Sequence, residues 1–514
     1  MRLGIDVGGT NTDAVLLQGK RPVSWFKTPT TRDVTGGITT ALNQVLAQSQ
    51  TEPARVNAVM IGTTHFTNAV VERRRLMQTA CIRLGLPATQ SLPPMVDWPP
   101  DLRETLGNHW YLAHGGHEYD GRPISAFDEN EIRGIARQIR ELGIRSVAIS
   151  AVFSPVDQSH ERVAAALVAA EIPGAAVSLS SEIGRIGLLE RENAAIMNAC
   201  LRDLAGEIVS AFRQSLSALG IKAPFYISQN DGTLMSAAHA EKYPVFTFAS
   251  GPTNSMRGAA FLSGVKDAMV VDVGGTTTDV GMLVNGFPRE ASLAVAVGGV
   301  RTNFRMPDVY SFGLGGGSLV RRDPLSVGPQ SVGYELTSKA LIFGGDVLTA
   351  SDIAVAAGVA DFGERSRVRH LDGGFVQAAR ERMQAMVAEA IDRMKTSAAP
   401  VPVVLVGGGS VLVQDALPGA SDVIRPDHFA VANAIGAAIA QVGGETDRVF
   451  SLEKLTREQA LAQAKQDALD KTLAAGAMPH SVEIVEVDEV PLAYLPSNAI
   501  RMHVKAVGDL PLEE

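Results

Sequence analysis

The feature that most constrains this chain is a repeat. Asp6-Val7-Gly8-Gly9-Thr10-Asn11-Thr12-Asp13 returns 266 residues later as Asp272-Val273-Gly274-Gly275-Thr276-Thr277-Thr278-Asp279. Both copies lie between runs of Val, Ile, Leu and Met, which suit buried strands. Each reads as a strand, a tight glycine turn and a second strand, and a repeat at this spacing makes the chain two related halves. The paired glycines let the backbone turn sharply and leave its N–H groups uncovered. Successive uncovered N–H groups form an anion-binding nest. Thr10, Asn11, Thr276 and Thr277 add side-chain donors for phosphate oxygens. Asp6 and Asp272 would repel a bare phosphate, so they make better sense facing Mg²⁺ through its water shell. The two turns together read as a phosphate clamp, with Asp6, Asp13, Asp272 and Asp279 as its candidate catalytic carboxylates.

A length of 514 residues allows three or four domain-sized units. The high glycine count, 50, with aromatics at only 5%, suits an α/β enzyme rich in tight turns. A net charge of −9 without a basic stripe argues against nucleic acid as a partner. Two cysteines, Cys81 and Cys200, cannot make a disulfide framework and fit a reducing compartment. The chain enters a strand at once, so no signal peptide is expected, and no apolar run reaches the ~18 residues of a membrane span. The expectation is a cytoplasmic homo-oligomer without membrane contact.

Strands are expected at 2–7, 14–17 and 23–27, then an amphipathic helix at 35–48 bearing Ile38, Leu42, Val45 and Leu46. A buried strand, 56–61, empties into Gly62-Thr63-Thr64-His65-Phe66-Thr67-Asn68 ahead of a helix at 69–75. That corner is where α/β sheets bind ligands, which makes Thr63, Thr64 and Asn68 candidates for substrate or phosphate; a helix cap is the plainer alternative. Residues 86–128 read as an irregular, functional loop. Within it His114 and His117 have the ligand types for a metal, although their spacing matches no zinc pattern. Asp128 with Glu131 marks a helix start. The polar turn Gln229-Asn230-Asp231-Gly232 is read as facing the cleft, so Gln229 and Asn230 join the substrate candidates. In the second half, Gly313-Leu314-Gly315-Gly316-Gly317 implies close backbone approach to a nucleotide. Gly407-Gly408-Gly409-Ser410 follows a strand at 401–406 and reads as a strand–glycine–helix corner for adenosine, with 411–417 helical. A charged helix at 452–475 and strands at 481–490 and 500–507 form a tail with no chemical motif.

Two phosphate hairpins and a late glycine corner resemble the actin/Hsp70/sugar-kinase ATPase superfamily. Within it the chain looks like the A subunit of the hydantoinase/oxoprolinase family, in a short variant. The blocks that carry the resemblance are Ile5–Asp13, I-G-T-T-H-F-T-N-A at Ile61–Ala69, Q-N-D-G at Gln229–Gly232 and S-G-P-T-N-S at Ser250–Ser255. Val271–Val280, F-G-L-G-G-G-S at Phe312–Ser318 and V-G-G-G-S at Val406–Ser410 complete them. Tyr310 stands where the family usually has histidine, and Cys81-Ile82-Arg83-Leu84-Gly85 where it usually has a lysine-containing block.

The resemblance implies an α/β fold of two ribonuclease-H-like (actin-like ATPase) halves with a nucleotide cleft between them, plus a small α+β tail. The corresponding divisions are 1–265, with the insertion near 86–128, then 266–445 and 446–514. It implies ATP and Mg²⁺ as cofactors, a cyclic amide (hydantoin, oxoproline or lactam) as substrate, phosphorylation of its carbonyl oxygen, and a B-type partner subunit that directs water to the activated carbon. A sugar-kinase-type small-molecule kinase, with Asp13 or Asp279 as base, and a nucleotide-switched non-catalytic ATPase are the alternatives.

Overall fold

The computed structural model describes residues 1–31, 35–291, 294–453, 455–492 and 498–511. Each half is built outward from its hairpin. In the first, strand Arg2–Val7 pairs antiparallel with Asn11–Gln18, which pairs with Arg21–Pro29. On its other side Ala58–Thr63 and then Phe225–Ser228 run parallel. Helix Gly36–Ser49 covers the sheet with Ile38, Leu42, Val45 and Leu46 buried, as its apolar spacing predicts. The second half repeats the plan: Ala268–Val273 pairs antiparallel with Thr278–Val284 and parallel with Val401–Val406, which carries Ala420–Ile424 beyond it. This is the expected fold class of two α/β halves around matching hairpins.

The region expected to be irregular is more ordered than its composition suggests. Among residues 86–128 lie helix Pro100–Thr105 and strand His109–His114. That strand is one edge of a four-stranded parallel sheet with Thr79–Leu86, Ser146–Ala151 and Ala176–Leu179. The sheet buries its own core of Ile82, Leu84, Ile132, Ile149 and Leu167 against helices Glu129–Glu141 and Ser159–Glu171. Prolines and glycines on either side masked one short strand whose pairing is entirely non-local.

Two helices carry the chain between halves. Ser250–Ser263 leads out of the first and Ala432–Ile439 leads back. They cross with backbone touching backbone: a Cβ on Gly258 would lie 1.9 Å from Ala432 O, and one on Gly436 1.8 Å from Asn254 O. The returning strand, Gln441–Ser451, then pairs with Thr233–Ser236, and Ala499–Gly508 and Glu483–Pro491 follow outward. The tail therefore extends the first half's sheet to nine strands. Helix Arg457–Ala474 lies on that extension. Two consecutive helices, Leu188–Cys200 and Arg202–Ala218, belong to the first half.

Candidate functional site

The two hairpins face each other. In each, the first glycine N–H closes the turn, Gly8 to Asn11 O at 3.0 Å and Gly274 to Thr277 O at 2.9 Å. Thr10 Oγ1 and Thr276 Oγ1 stand 3.4 Å apart across the gap. Between the halves opens a cavity of about 740 Å³. Gly8, Gly9, Thr10, Asn11, Gly274, Gly275, Thr276 and Thr277 all line it. A Cβ added to Gly9 or Gly408 would meet nothing within 4 Å, so the backbone there opens onto free space.

Strand register places both carboxylates of each hairpin opposite each other, Asp6 with Asp13 and Asp272 with Asp279. Asp13 and Asp272 line the cavity. Asp6 sits behind it, 4% exposed, accepting from Asn254 Nδ2 at 3.1 Å and Asn433 Nδ2 at 3.0 Å. Burial lifts its carboxyl to about 6, against the Asn254 amide and with help from the charge of Asp13. Asn433 Nδ2 also donates to Asp13 at 2.7 Å, and Lys27 Nζ is 2.7 Å from the same carboxylate. Asp272 is raised by burial, opposed by the Ser255 hydroxyl and by Lys27. Burial raises Asp279 to about 6, while the Ser311 hydroxyl that donates to it pulls the other way.

The glycine-rich segments act differently from expectation. Gly316 lines the cavity, but Gly315 and Gly317 do not. Gly316 N–H donates to Gly274 O at 3.1 Å and Gly317 N–H to Gly275 O at 2.7 Å. A Cβ on Gly315 would lie 2.5 Å from Thr276 N. The close approach these glycines permit is to the second hairpin itself, which they brace from behind. Gly407, Gly408 and Gly409 do line the cavity. Gly409 N–H donates to Val273 O at 2.8 Å, and a Cβ on Gly407 would meet Asp272 Oδ1 at 2.2 Å. The turn after them is a single 3₁₀ turn, Ser410–Leu412, not the helix expected over 411–417.

Of the substrate candidates, Asn68 alone reaches the cavity. Helix His65–Glu72 begins earlier than expected and ends where Arg73 turns left-handed at φ 55°. Thr63 is 1% exposed, its hydroxyl 2.6 Å from His65 Nδ1. The Thr64 hydroxyl donates to Val7 O and makes no cap hydrogen bond, while Thr63 Oγ1 accepts from His65 N–H, the first of the helix, at 3.3 Å. Gln229 and Asn230 turn inward: Gln229 donates to Thr233, and Asn230 donates to Val245 O and Arg305 O. They hold the loop and stay outside the cavity lining. His114 pairs with Glu131 at 3.2 Å. His117 stacks on His160 with ring centroids 4.2 Å apart and points Nε2 toward Asp157 at 3.7 Å. The two histidines thus have separate partners rather than one shared ligand set.

Lys27, Asn433, Asn254 and Ser255 were not among the expected site residues, although Asn254 and Ser255 lie in the S-G-P-T-N-S block. Lys27 carried a usable signal, because the strand pairing puts it directly opposite Asp13. Asn433 reaches Asp13 across 420 residues of sequence and gave none. At its other end the cavity is walled by Tyr334, Leu336, Phe343 and Phe362.

The site is a cleft between two α/β halves, lined by paired glycine hairpins and by Asp13 and Asp272. Residues 2–172 match the family model for the hydantoinase/oxoprolinase N-terminal region and residues 191–362 that for hydantoinase/oxoprolinase, and the chain belongs to this family. The caprolactamase alpha subunit of Pseudomonas jessenii is 28% identical over 388 residues, 70% of this chain and 54% of that protein. The acetophenone carboxylase gamma subunit of Aromatoleum aromaticum is 27% identical over 399 residues, 69% of this chain and 53% of that one. The chain spans about half the length of these relatives. The crystal structure of the ATP-dependent caprolactamase of P. jessenii superposes with a TM-score of 0.81 at 20% identity, covering 99% of this chain and 89% of that one. Nucleotide-free acetone carboxylase gives 0.70 at 18%, covering 100% and 88%. These two structures share the fold. Among the described residues no helix is long and apolar enough to cross a membrane.

Proposed function

We propose that this chain is the ATP-consuming subunit of a cyclic amidase, activating a lactam-, hydantoin- or oxoproline-type ring by phosphorylating its carbonyl oxygen. The observation that carries the reading is the pair of hairpins facing one cavity with Lys27 beside them. The residues fit nucleotide and Mg²⁺: Gly9 and Gly408 leave open space, and Asp13 and Asp272 line it. ATP with Mg²⁺ would supply the phosphoryl group and its counter-charge. The N–H groups of both turns, with Thr10, Asn11, Thr276 and Thr277, would hold phosphate oxygens. Asp272, backed by Asp6, would face the water shell of the cation, and Lys27 would neutralise phosphate charge. Asn68, at the mouth of the first-half sheet, would contact the ring. Phosphoryl transfer asks a protein mainly for positioning and charge neutralisation. An amide is a poor electrophile and its O-phosphorylated form a good one, so a water-directing B-type subunit would complete hydrolysis. Assembly with that subunit, and with further copies of this chain, is part of the proposal.

The kinase alternative has less support. Asp13 is held by Lys27 and Asn433, and Asp279 accepts from Ser311 outside the cavity lining. The test is ADP release against lactams, hydantoins and sugars, with and without a B-type subunit. Turnover on a lactam or hydantoin is expected. Phosphorylated sugar with no amide turnover would overturn the reading, and nucleotide binding without any substrate-stimulated turnover would favour a switch.

A further inference from the structure

The C-terminal sheet carries a second concentration of charge, remote in sequence from both hairpins. Strand Ala499–Gly508 turns Met502, Val504 and Ala506 toward helix Arg457–Ala474 and so presents Arg501, His503 and Lys505 on its opposite face. Register sets Glu445 and Asp447 on one flank and Glu486 and Asp488 on the other. The cations there are matched. Lys505 Nζ lies 2.9 Å from Asp231, Arg501 pairs with Asp447, and Arg305 pairs with Glu290 at 2.9 Å and with Glu445. Among the described residues Glu486 and Asp488 have no Lys or Arg ion pair; each faces His503 instead.

The distances to that histidine are unusual. Nδ1 is 3.6 Å from Glu486 Oε1 and 3.9 Å from Asp488 Oδ2, too long for hydrogen bonds. The His503 side chain is only 4% exposed, and buried Nε2 has no partner. The three ligand atoms lie within 4.8 Å of one another. Two donors that each stand about 2.0–2.2 Å from one tetrahedral ion are themselves roughly 3.3–3.6 Å apart; the Glu486 separation has this spacing and the Asp488 separation exceeds it by a few tenths of an ångström. The gap therefore suits a shared cation better than direct contact.

We propose that Glu486, Asp488 and His503 form a site for a divalent first-row transition metal of the zinc or manganese type. One imidazole and two carboxylates are the donor set for such ions. With Nδ1 as ligand the ring proton sits on Nε2. Asp488, 64% exposed, and Glu486, 35% exposed, leave the remaining coordination positions to water. Bound metal ties the edge strand Glu483–Pro491 to its neighbour through side chains as well as backbone.

The test uses the tag-free full chain, loaded with Zn²⁺ or in parallel with Mn²⁺, then dialysed and its metal counted by mass spectrometry. One equivalent is expected in the wild type and in Asp272→Asn, which removes the hairpin carboxylate. Glu486→Gln and Asp488→Asn, both partly exposed and checked for folding by circular dichroism, are expected to weaken binding at least tenfold. A wild type that retains no metal, equal retention in both carboxylate variants, or loss in Asp272→Asn alone would overturn the proposal. The last result would place the ion at the hairpins, and failure of amide turnover would leave this metal count untouched.

Discussion

The two copies of the hairpin share a backbone and differ in what surrounds their carboxylates. In the first, the pair Asp6–Asp13 is surrounded by donors: Asn254, Asn433 and the ammonium of Lys27. In the second, Asp272 and Asp279 have the hydroxyls of Ser255 and Ser311, and among the described residues no Lys or Arg ion pair. Their bracing differs too, since among the described residues only the second hairpin has glycine segments packed on its backbone, at Gly315–Gly317 and Gly407–Gly409. A repeated motif has diverged into an arm whose two carboxylates share one ammonium and an arm whose two carboxylates pair with none among the described residues. The second arm is the one suited to a cation.

That contrast can be broken experimentally. Asp272→Asn should lower Mg²⁺-dependent turnover at least about 100-fold while leaving the fold intact; near-normal kcat would end the assignment of the cation to the second arm. Gly315→Ala should cost about 1–3 kcal/mol in urea denaturation, because its Cβ has no room against Thr276. Gly9→Ala, opening onto the cavity, should leave stability unchanged and weaken nucleotide binding, and equal destabilisation by the two would remove the difference in bracing. Lys27→Met should lower kcat/KM for ATP roughly tenfold, about 1.4 kcal/mol, and more at low salt. Ser311→Ala should change the same parameter less than Lys27→Met does.

The last effect is in pH. Asp6 titrates at about 6 in the folded protein, above its unfolded value of 3.8. The folded state thus holds more protons between those values, and the contribution of Asp6 to stability falls as pH rises from about 4 through 6, by at most about 1.4 kcal/mol per unit. Stability of the wild type relative to Asp6→Asn should decline across that window. A flat or rising difference would show that Asp6 is not held in this way.

Much of this was legible because it was local. The hairpins, the amphipathic helix with Ile38 and Leu42, and the capping carboxylate Asp128 follow from short-range pattern, and the structure keeps all of them. Even there the local signal had limits: Glu131 turns away from the cap and accepts from His114 N–H instead. Gly315 was recognised as a site of close approach, but sequence could not say what approaches, and the neighbour is the hairpin. Gln229 and Asn230 have the polarity of substrate contacts, yet a tight loop under Phe246 and Val245 also needs its donors and acceptors satisfied. Asn433 lies on an alanine-rich helix, where only the tertiary crossing reveals that it bridges two carboxylates of the other half.

The crossing of Ser250–Ser263 over Ala432–Ile439 has a kinematic consequence. Gly258 and Gly436 are seated on opposing carbonyls, and side chains such as Leu262, Ala434 and Ala438 pack around that contact. Sliding one helix along the other would drive Cβ atoms of neighbouring residues into backbone, so translation between the halves is blocked. Rotation about the contact point remains. Thr10 and Thr276 lie at the ends of two lever arms sharing that fulcrum, and a small angular change there becomes a larger change in the width of the gap they span.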